Sequence, residues 1–469
     1  MWTAADQVQD FFAFRDPIYH PHTIQKKRKQ RSSPEYTPED RVKSLFYQSY
    51  ILPSLQEGIT FDRSIRNEFS KPEKKFRRRF RVPFAVFEEI CQSMEEEGFY
   101  SQGRCRNGWP RVPLELLVLG SLRVLAAGCS FDMVEEWTNV SFVTHRNFFN
   151  NVFTKWGKGL AKTLIRFPAN EAEMRHVVGL FERVGHPGCV GSVDCVHIVW
   201  DKCPAGFLSA CKGKEKLPTL AFEVVVSHTK KILSVSQFFA GATNDKTIAR
   251  FDDAIKKVRG KDELMRNLKW NAVDRKGEKT EQMGGYFVCD GGYHAWKELI
   301  CPYKNQMEGC VEAKWSKNLE SVRKDVECTF GILKKRFLFL KNPIQHHFPE
   351  AIEDAFVTCC CLHNWLHDWD GWDDWEERGL LSDEEVMVEY DATDQHNRRW
   401  PRQSQYHGFA GNYCRSQYRR DNRSAFFSDE DTINDVCLSE FDMYNERRSK
   451  LIDHYMYMSK NHTLQLDLR

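Results

Sequence analysis

The chain has 469 residues, enough for two or three domains with sizeable cores. Its 68 basic and 66 acidic residues leave a net charge of +2, which excludes a uniformly basic or acidic protein and puts the informative charge in local runs. No apolar run approaches the roughly 20 residues that span a bilayer, the N-terminus resembles no secretory signal, and 16 cysteines without a Cys-x-x-Cys pair read as reduced thiols of a cytosolic or nuclear protein.

Residues 1–40 are rich in Pro, Gln, Lys and Arg and poor in aliphatics, which predicts a disordered basic arm. Within it Lys26-Lys27-Arg28-Lys29-Gln30-Arg31 reads as a nuclear localisation signal, a nucleic-acid patch or a solvated charged tail. From 41 to 175 the apolar spacing is helical, after a second basic run at Lys74 to Arg81. Phe84, Phe87, Ile90, Cys91 and Met94 line one face of a helix over 80–94, and Leu114 to Leu125 is a strongly apolar helix. Gly128-Cys129-Ser130 breaks it, and Ser130 caps a short helix from Phe131 to Trp137. A turn at Asn139-Val140-Ser141 leads into a helix from Phe142 towards Trp156. This is the outline of a helix-turn-helix unit, whose last helix offers Thr144, His145, Arg146 and Asn147 to DNA. The same pattern also describes a plain helical packing module.

From 176 to 370 the pattern changes to strands over 189–200, 220–227 and 232–240, the last two joined by the polar turn Ser227–Lys231. A helix over 246–258 follows, with Ile248, Phe251, Ile255 and Val258 on one face and Asn244 or Asp245 as its cap. Next come a polar insert over 259–284, a strand from Tyr286 to Asp290 broken by Gly291-Gly292, and a short strand over 299–301. A helix carrying Glu327 and another from Pro349 to about His367 close the core. Three antiparallel strands, a helix, a further strand and then helices is the element order of a ribonuclease-H-like fold. The expected class is therefore α/β, a mixed sheet flanked by helices, with an N-terminal helical region resembling a helix-turn-helix. Residues 371–469 read as an acidic Trp-rich linker and a tail with a last helix over about 432–458.

Within this scaffold three acids stand out. Asp194 is the one carboxylate in the buried run from Cys189 to Trp200, and burying an ionised carboxylate is costly unless cations or donors compensate it. Asp290 ends a second apolar strand, and Glu327 lies on a helix whose apolar face carries Val326, Phe330 and Leu333. Two strand-borne aspartates and a helix-borne glutamate are expected to converge on a divalent-metal site. Asp245 is expected to be a helix cap or to have a substrate role, and His197 to be a structural or phosphate-contacting side chain. His363 and His367, at i and i+4, could hold Zn²⁺, but no further ligand pair is evident. One satisfied core histidine and one exposed histidine is the expected state. Arg323, Lys324, Lys334, Lys335 and Arg336 crowd the Glu327 helix, either to hold a DNA backbone or as a solvated basic face.

Gly191-Ser192-Val193-Asp194-Cys195-Val196-His197, with Trp200, Lys202, Cys203 and Pro204, resembles the first acidic motif of the PIF/Harbinger transposases, in the plant transposon protein branch. The resemblance continues through Phe238-Phe239-Ala240-Gly241, Asn244-Asp245, Met283-Gly284-Gly285-Tyr286 and Asp290-Gly291-Gly292-Tyr293. It continues again through Arg323-Lys324-Asp325-Val326-Glu327 and Cys361-Leu362-His363-Asn364, and covers about 80–368. Cys328 stands where the family usually has Arg, and His294 where it usually has Pro. The resemblance implies a DDE-type transposase nuclease on a ribonuclease-H-like fold, with Asp194, Asp290 and Glu327 holding two Mg²⁺ or Mn²⁺ ions. Asp194 would bridge them, with one outer acid on each. It also implies DNA as substrate, a Myb-like accessory protein, a homo-oligomer that cleaves paired ends, and a nuclear location. A host protein that keeps the fold and binds DNA or chromatin without transposing is the alternative.

Overall fold

The computed structural model describes residues 43–51, 70–101, 111–213, 216–304, 309–371 and 435–461, with the single positions 40, 103 and 307. The basic arm before Asp40 and the stretch 372–434 lie outside the described residues.

In the first part several helices start on a capping side chain and several end on a left-handed residue. Helix α1 (Lys71–Phe80) starts where Ser70 accepts from the Glu73 amide and ends at Arg81 with φ 66°. The buried Glu73 carboxylate accepts from the Phe84 amide at 3.1 Å and so starts α2 (Phe84–Glu96). Helix α3 (Leu114–Ala127) is buried along nearly its whole length and forms the axis of this part. Ser130 caps α4 (Phe131–Thr138), which ends at Asn139 with φ 54°, and Ser141 caps α5 (Phe142–Phe148). A π-helical turn, Phe149–Phe153, joins α5 to α6 (Thr154–Gly159). The expected order of helix, turn, short helix, turn and helix is present, but the last helix, expected to run from Phe142 towards Trp156, is interrupted by that π-helical turn. A Cβ on Gly120 of α3 would stand 2.5 Å from His145 Cε1, so the close crossing of α3 and α5 requires glycine there.

Asn170 caps α7 (Glu171–Arg183), which leads into β1 (Cys189–Val199). The sheet also holds β2 (Thr219–Val226), β3 (Ile232–Val235), β4 (Phe239–Ala240), β7 (Tyr286–Val288) and β8 (Leu299–Ile300). Its order is β3-β2-β1-β7-β8, with β4 paired to β2. Strands β1, β2 and β3 are antiparallel, while β1, β7 and β8 are parallel, so the sheet is mixed. One face, with Val196, Ile198, Phe222 and Val224, shares a core with α3 and α11 (Pro349–Trp369). The other, with Val193, Val225 and Phe287, packs on Met174, Val177 and Phe181 of α7. Helix α10 (Val311–Arg336) joins the two cores, the second through Trp315, Leu319 and Val322 and the first through Val326 and Leu333.

Three expectations are corrected. The strand over 232–240 is two strands, because Ser236–Phe238 leave the ladder. The helix over 246–258 breaks at Asp252, which is extended at φ −67°, ψ 133° and caps the second segment. That gives α8 (Asp245–Phe251) and α9 (Asp253–Lys256), with Asn244 as the cap of the first. The polar insert holds a hairpin, β5 (Lys269–Val273) and β6 (Lys279–Met283). Helix α12 (Asp435–Lys460) covers that hairpin, with Arg447 Nη2 donating to Met283 O at 2.7 Å and His454 Nδ1 accepting from the Val273 amide at 3.1 Å. No described helix is long and apolar enough to cross a membrane.

The ends of α11 settle the histidine pair. His363 and His367 are both buried, and their Nε2 atoms meet the carbonyls of Lys230 at 3.0 Å and Thr229 at 2.9 Å. Neither is exposed, which corrects the expectation of one exposed ring. Asn364 accepts from the Ile232 amide at 2.9 Å and donates to Ile232 O at 2.7 Å, pairing with the edge strand β3 as a backbone would.

Candidate active site

Side chains alternate along a strand. Asp194 lies opposite Val224 of β2 on the face turned to α10, and Cys195 lies opposite Glu223 on the other face. The Asp194 Oδ1 accepts from the Cys195 amide at 2.8 Å, and its Oδ2 is 3.4 Å from Arg323 Nη1. The same Nη1 is 2.8 Å from Glu327 Oε1. Arg323 and Glu327 are four residues apart on α10 and so share a face of the helix. The other side of the guanidinium, Nε and Nη2, donates to Glu320 Oε2 at 3.1 and 3.0 Å. The Arg323 side chain is 10% exposed, Asp194 21% and Glu327 45%, so the cation lies beneath the acids and Glu327 forms the outer lip.

Asp290 follows the end of β7, the parallel neighbour of β1. Its Oδ1 accepts from the Gly292 amide at 2.7 Å, tightening the Gly291-Gly292 turn. A Cβ on Gly292 would stand 2.8 Å from Asp245 Oδ2 and 2.9 Å from Asp290 Oδ1. Glycine therefore lets two carboxylates close over one loop, and Asp245, which is not the cap of α8, lies at the rim of the acid cluster.

Burial is the main reason that the Asp194 carboxyl rises from 3.8 to about 7; Asp290 and Glu327 push it further up, against the pull of Arg323. Such a group is poised to ionise when a cation arrives. Behind the strand, Glu223 is fully buried; Tyr293 Oη donates to its Oε2 at 3.3 Å, and its Oε1 has no partner among the described residues. Burial, then Asp252, push this acid well above its ordinary range. Glu223 is not among the acids singled out from the sequence, although a lone acid inside the otherwise apolar β2 is a signal of the same kind as Asp194.

Among the described residues no group of three or more acid, His or Cys side chains is closed tightly enough to hold a metal ion as it stands. In kind the donors suit one, because Asp194 and Glu327 offer hard carboxylate oxygens around a single positive charge, the Arg323 guanidinium, with Asp290 on the neighbouring strand.

The expected DNA contacts divide. Arg323 is buried and paired with Asp194 and Glu327, so its guanidinium is turned to the acids. Lys324 and Lys335 are exposed, Lys334 Nζ donates to His197 O at 3.1 Å, and Arg336 Nη1 lies 3.4 Å from His363 Nδ1. His197 itself bonds Thr219 Oγ1 through Nδ1 at 3.0 Å. On α5, Arg146 and Asn147 are exposed and Thr144 is half-buried, but His145 is buried against Thr138 Oγ1 at 2.7 Å. His145 is thus a packing residue. The adjoining α4 carries Asp132 and Glu136 at its surface, which would repel phosphate.

Residues 163–371 match the family model described as plant transposon protein. The helical stretch 80–162, expected within the resemblance, falls outside that match. A rat (Rattus norvegicus) protein described as "Putative nuclease HARBI1" is 23% identical over 210 residues, and its human (Homo sapiens) counterpart is 23% identical over 208 residues. Each alignment covers 44% of this chain and 53% of the relative, so the chain spans about half the length of the curated relatives it matches. No solved structure matches it. Over residues 163–371 the chain is thus similar to the family described as plant transposon protein, and over about the same length to the two nuclease-named relatives.

Proposed function

We propose that this protein is a metal-dependent DNA nuclease of the transposase class, working through Asp194, Asp290 and Glu327 on a ribonuclease-H-like sheet. The observation that carries this reading is the sharing of one guanidinium nitrogen by a central-strand aspartate and a glutamate far along the chain. A third acid ends the adjacent parallel strand. The strand order β3-β2-β1-β7-β8, with only the last three parallel, agrees with that fold.

Bound Mg²⁺ or Mn²⁺, held by the three acids, would activate a water or a terminal hydroxyl and stabilise the leaving oxygen of a phosphodiester. The protein's own contribution is positional. The central sheet fixes Asp194, the Gly291-Gly292 turn fixes Asp290, and the long helix α10 presents Glu327 at the lip. Tyr293 and the buried Glu223 buttress β1 from behind. Lys324 and Lys335, with the exposed basic residues Lys71, Lys74, Lys75 and Arg78 of α1, give a DNA backbone positive partners and make binding salt-dependent. Cleavage at two element ends calls for a homo-oligomer, and a Myb-like accessory protein and a nuclear site of action belong to the same reading.

The second reading is a host protein that binds DNA or chromatin without transposing. It is favoured by Arg323, which already neutralises two of the acids. The deciding experiment is Mg²⁺-dependent cleavage of DNA bearing the flanking terminal repeats, with Asp194→Asn as the comparison. Loss of cleavage with retained gel-shift binding supports the nuclease. Binding without cleavage by the unaltered protein supports the host role.

A further inference from the structure

Arg323 occupies an unusual place for a cation beside a set of metal-holding acids. It is buried, it contacts Asp194 and Glu327 through one nitrogen, and its remaining two nitrogens are held by Glu320. Three carboxyl groups therefore surround one guanidinium, and Glu320 lies on the side away from Asp194. Without this charge, Asp194, Asp290 and Glu327 would repel each other across a poorly hydrated floor.

We propose that Arg323 is an internal counter-ion that holds the acids together until a divalent cation arrives, and that it competes with that cation for Glu327 and Asp194. This inference rests on the nuclease reading. The geometry supplies the alternative berth. When the acids turn to a cation, Arg323 loses the Nη1 contacts but keeps two bonds to Glu320, so a small rotation about its side chain is enough. Glu320 is then a positioning residue that sets how strongly Arg323 resists the incoming ion. Glu320 is 38% exposed, so its removal leaves no hole in the core.

The competition predicts effects of opposite sign at two residues on one helix face. Removing the cation with Arg323→Gln should tighten Mn²⁺ binding, by about tenfold from the loss of one adjacent positive charge. Removing the berth with Glu320→Gln should commit Arg323 wholly to the acids and weaken Mn²⁺ binding severalfold. A purely structural role for the pair would move both affinities in the same direction.

The test uses the full chain and Mn²⁺ alone, with bound ion read from the loss of the free-ion paramagnetic resonance signal. A parallel thermal melt is run in chelator and in Mn²⁺. For Arg323→Gln the expected result is a lower melting temperature in chelator, a larger rise on adding Mn²⁺, and the tighter affinity. Unchanged or weaker Mn²⁺ affinity in a folded Arg323→Gln protein overturns the counter-ion role, and so does tighter binding by Glu320→Gln. Should Arg323→Gln not fold, Glu320→Gln decides alone. Failure of all forms, the unaltered protein included, to bind Mn²⁺ overturns the nuclease reading and this inference with it.

Discussion

Replacing Asp194 with Asn should make the metal-free protein more stable, and by an amount that depends on pH. Asp194 is held at about 7 against an ordinary 3.8. Each tenfold change in proton affinity is about 1.4 kcal/mol, which gives about 4 kcal/mol as an upper bound. Water reaching the 21% of its side chain that remains exposed reduces this to about 2 kcal/mol. The folded protein keeps a proton that the unfolded chain gives up above pH 4, so stability falls as pH rises from about 4 to about 7 and is level beyond. Asparagine carries no such cost. Urea denaturation in chelator should therefore find the two proteins equal near pH 4, and Asp194→Asn about 2 kcal/mol more stable at pH 8. A less stable Asn variant at pH 8 would refute the reasoning. It would mean that the contact with Arg323 outweighs burial and that Asp194 is a stabilising bridge, not a strained acid awaiting a cation.

Three further outcomes follow from the packing. His145 is held at about 4 by burial, so its contribution is present at neutral pH and is lost as pH falls from about 6.5 to about 4. Relative to the unaltered protein, His145→Gln should lose up to about 3 kcal/mol less on acidification, measured by denaturation at pH 7 and pH 4. Gly120→Ala should destabilise the helical part by about 2 kcal/mol, since its Cβ would meet the His145 ring at 2.5 Å, and a melting temperature within one degree of normal would contradict that close crossing. Asn364→Ala should cost about 3 kcal/mol by leaving the Ile232 amide and carbonyl unpaired, and hydrogen exchange should reveal faster opening confined at first to β3.

The central strand was legible because a long apolar run holding a single acid fits a buried strand and little else. The start of α4 was legible through Ser130, whose side chain does cap it; Ser141, read only as part of a turn, caps α5. What the chain order hid were interactions that need a third dimension. Arg323 reads as one of several bases on a basic helix, and nothing local says that its guanidinium reaches Asp194. His145 reads as one of four residues a helix offers to DNA, although the glycine it packs against is on α3. The hairpin β5–β6 was missed because β6 is mostly exposed and polar, and part of its cover comes from α12 at the far end of the chain. Asp252 broke a helix that its neighbours' spacing supported, since its side chain caps the next segment instead of facing solvent. The two-residue ambiguity at Asn244-Asp245 was resolved by geometry, one residue capping and the other turned to Asp290.

The parallel pairing of β1 with β7 has a consequence for how the protein is made. Cys189 aligns with Tyr286, and Ser192 with Val288, so the sheet cannot close until the intervening chain has been synthesised. The acids reach each other only after α10 has followed and laid Glu327 over β1. Domains fold as the chain emerges, N-terminal parts first. A nascent chain halted anywhere before α10 can therefore hold its helical part and the β1–β2–β3 meander, yet carries scattered aspartates with no shared cation. Completion of the acid cluster is thereby timed by topology, since Glu327 joins Asp194 only once α10 has been made.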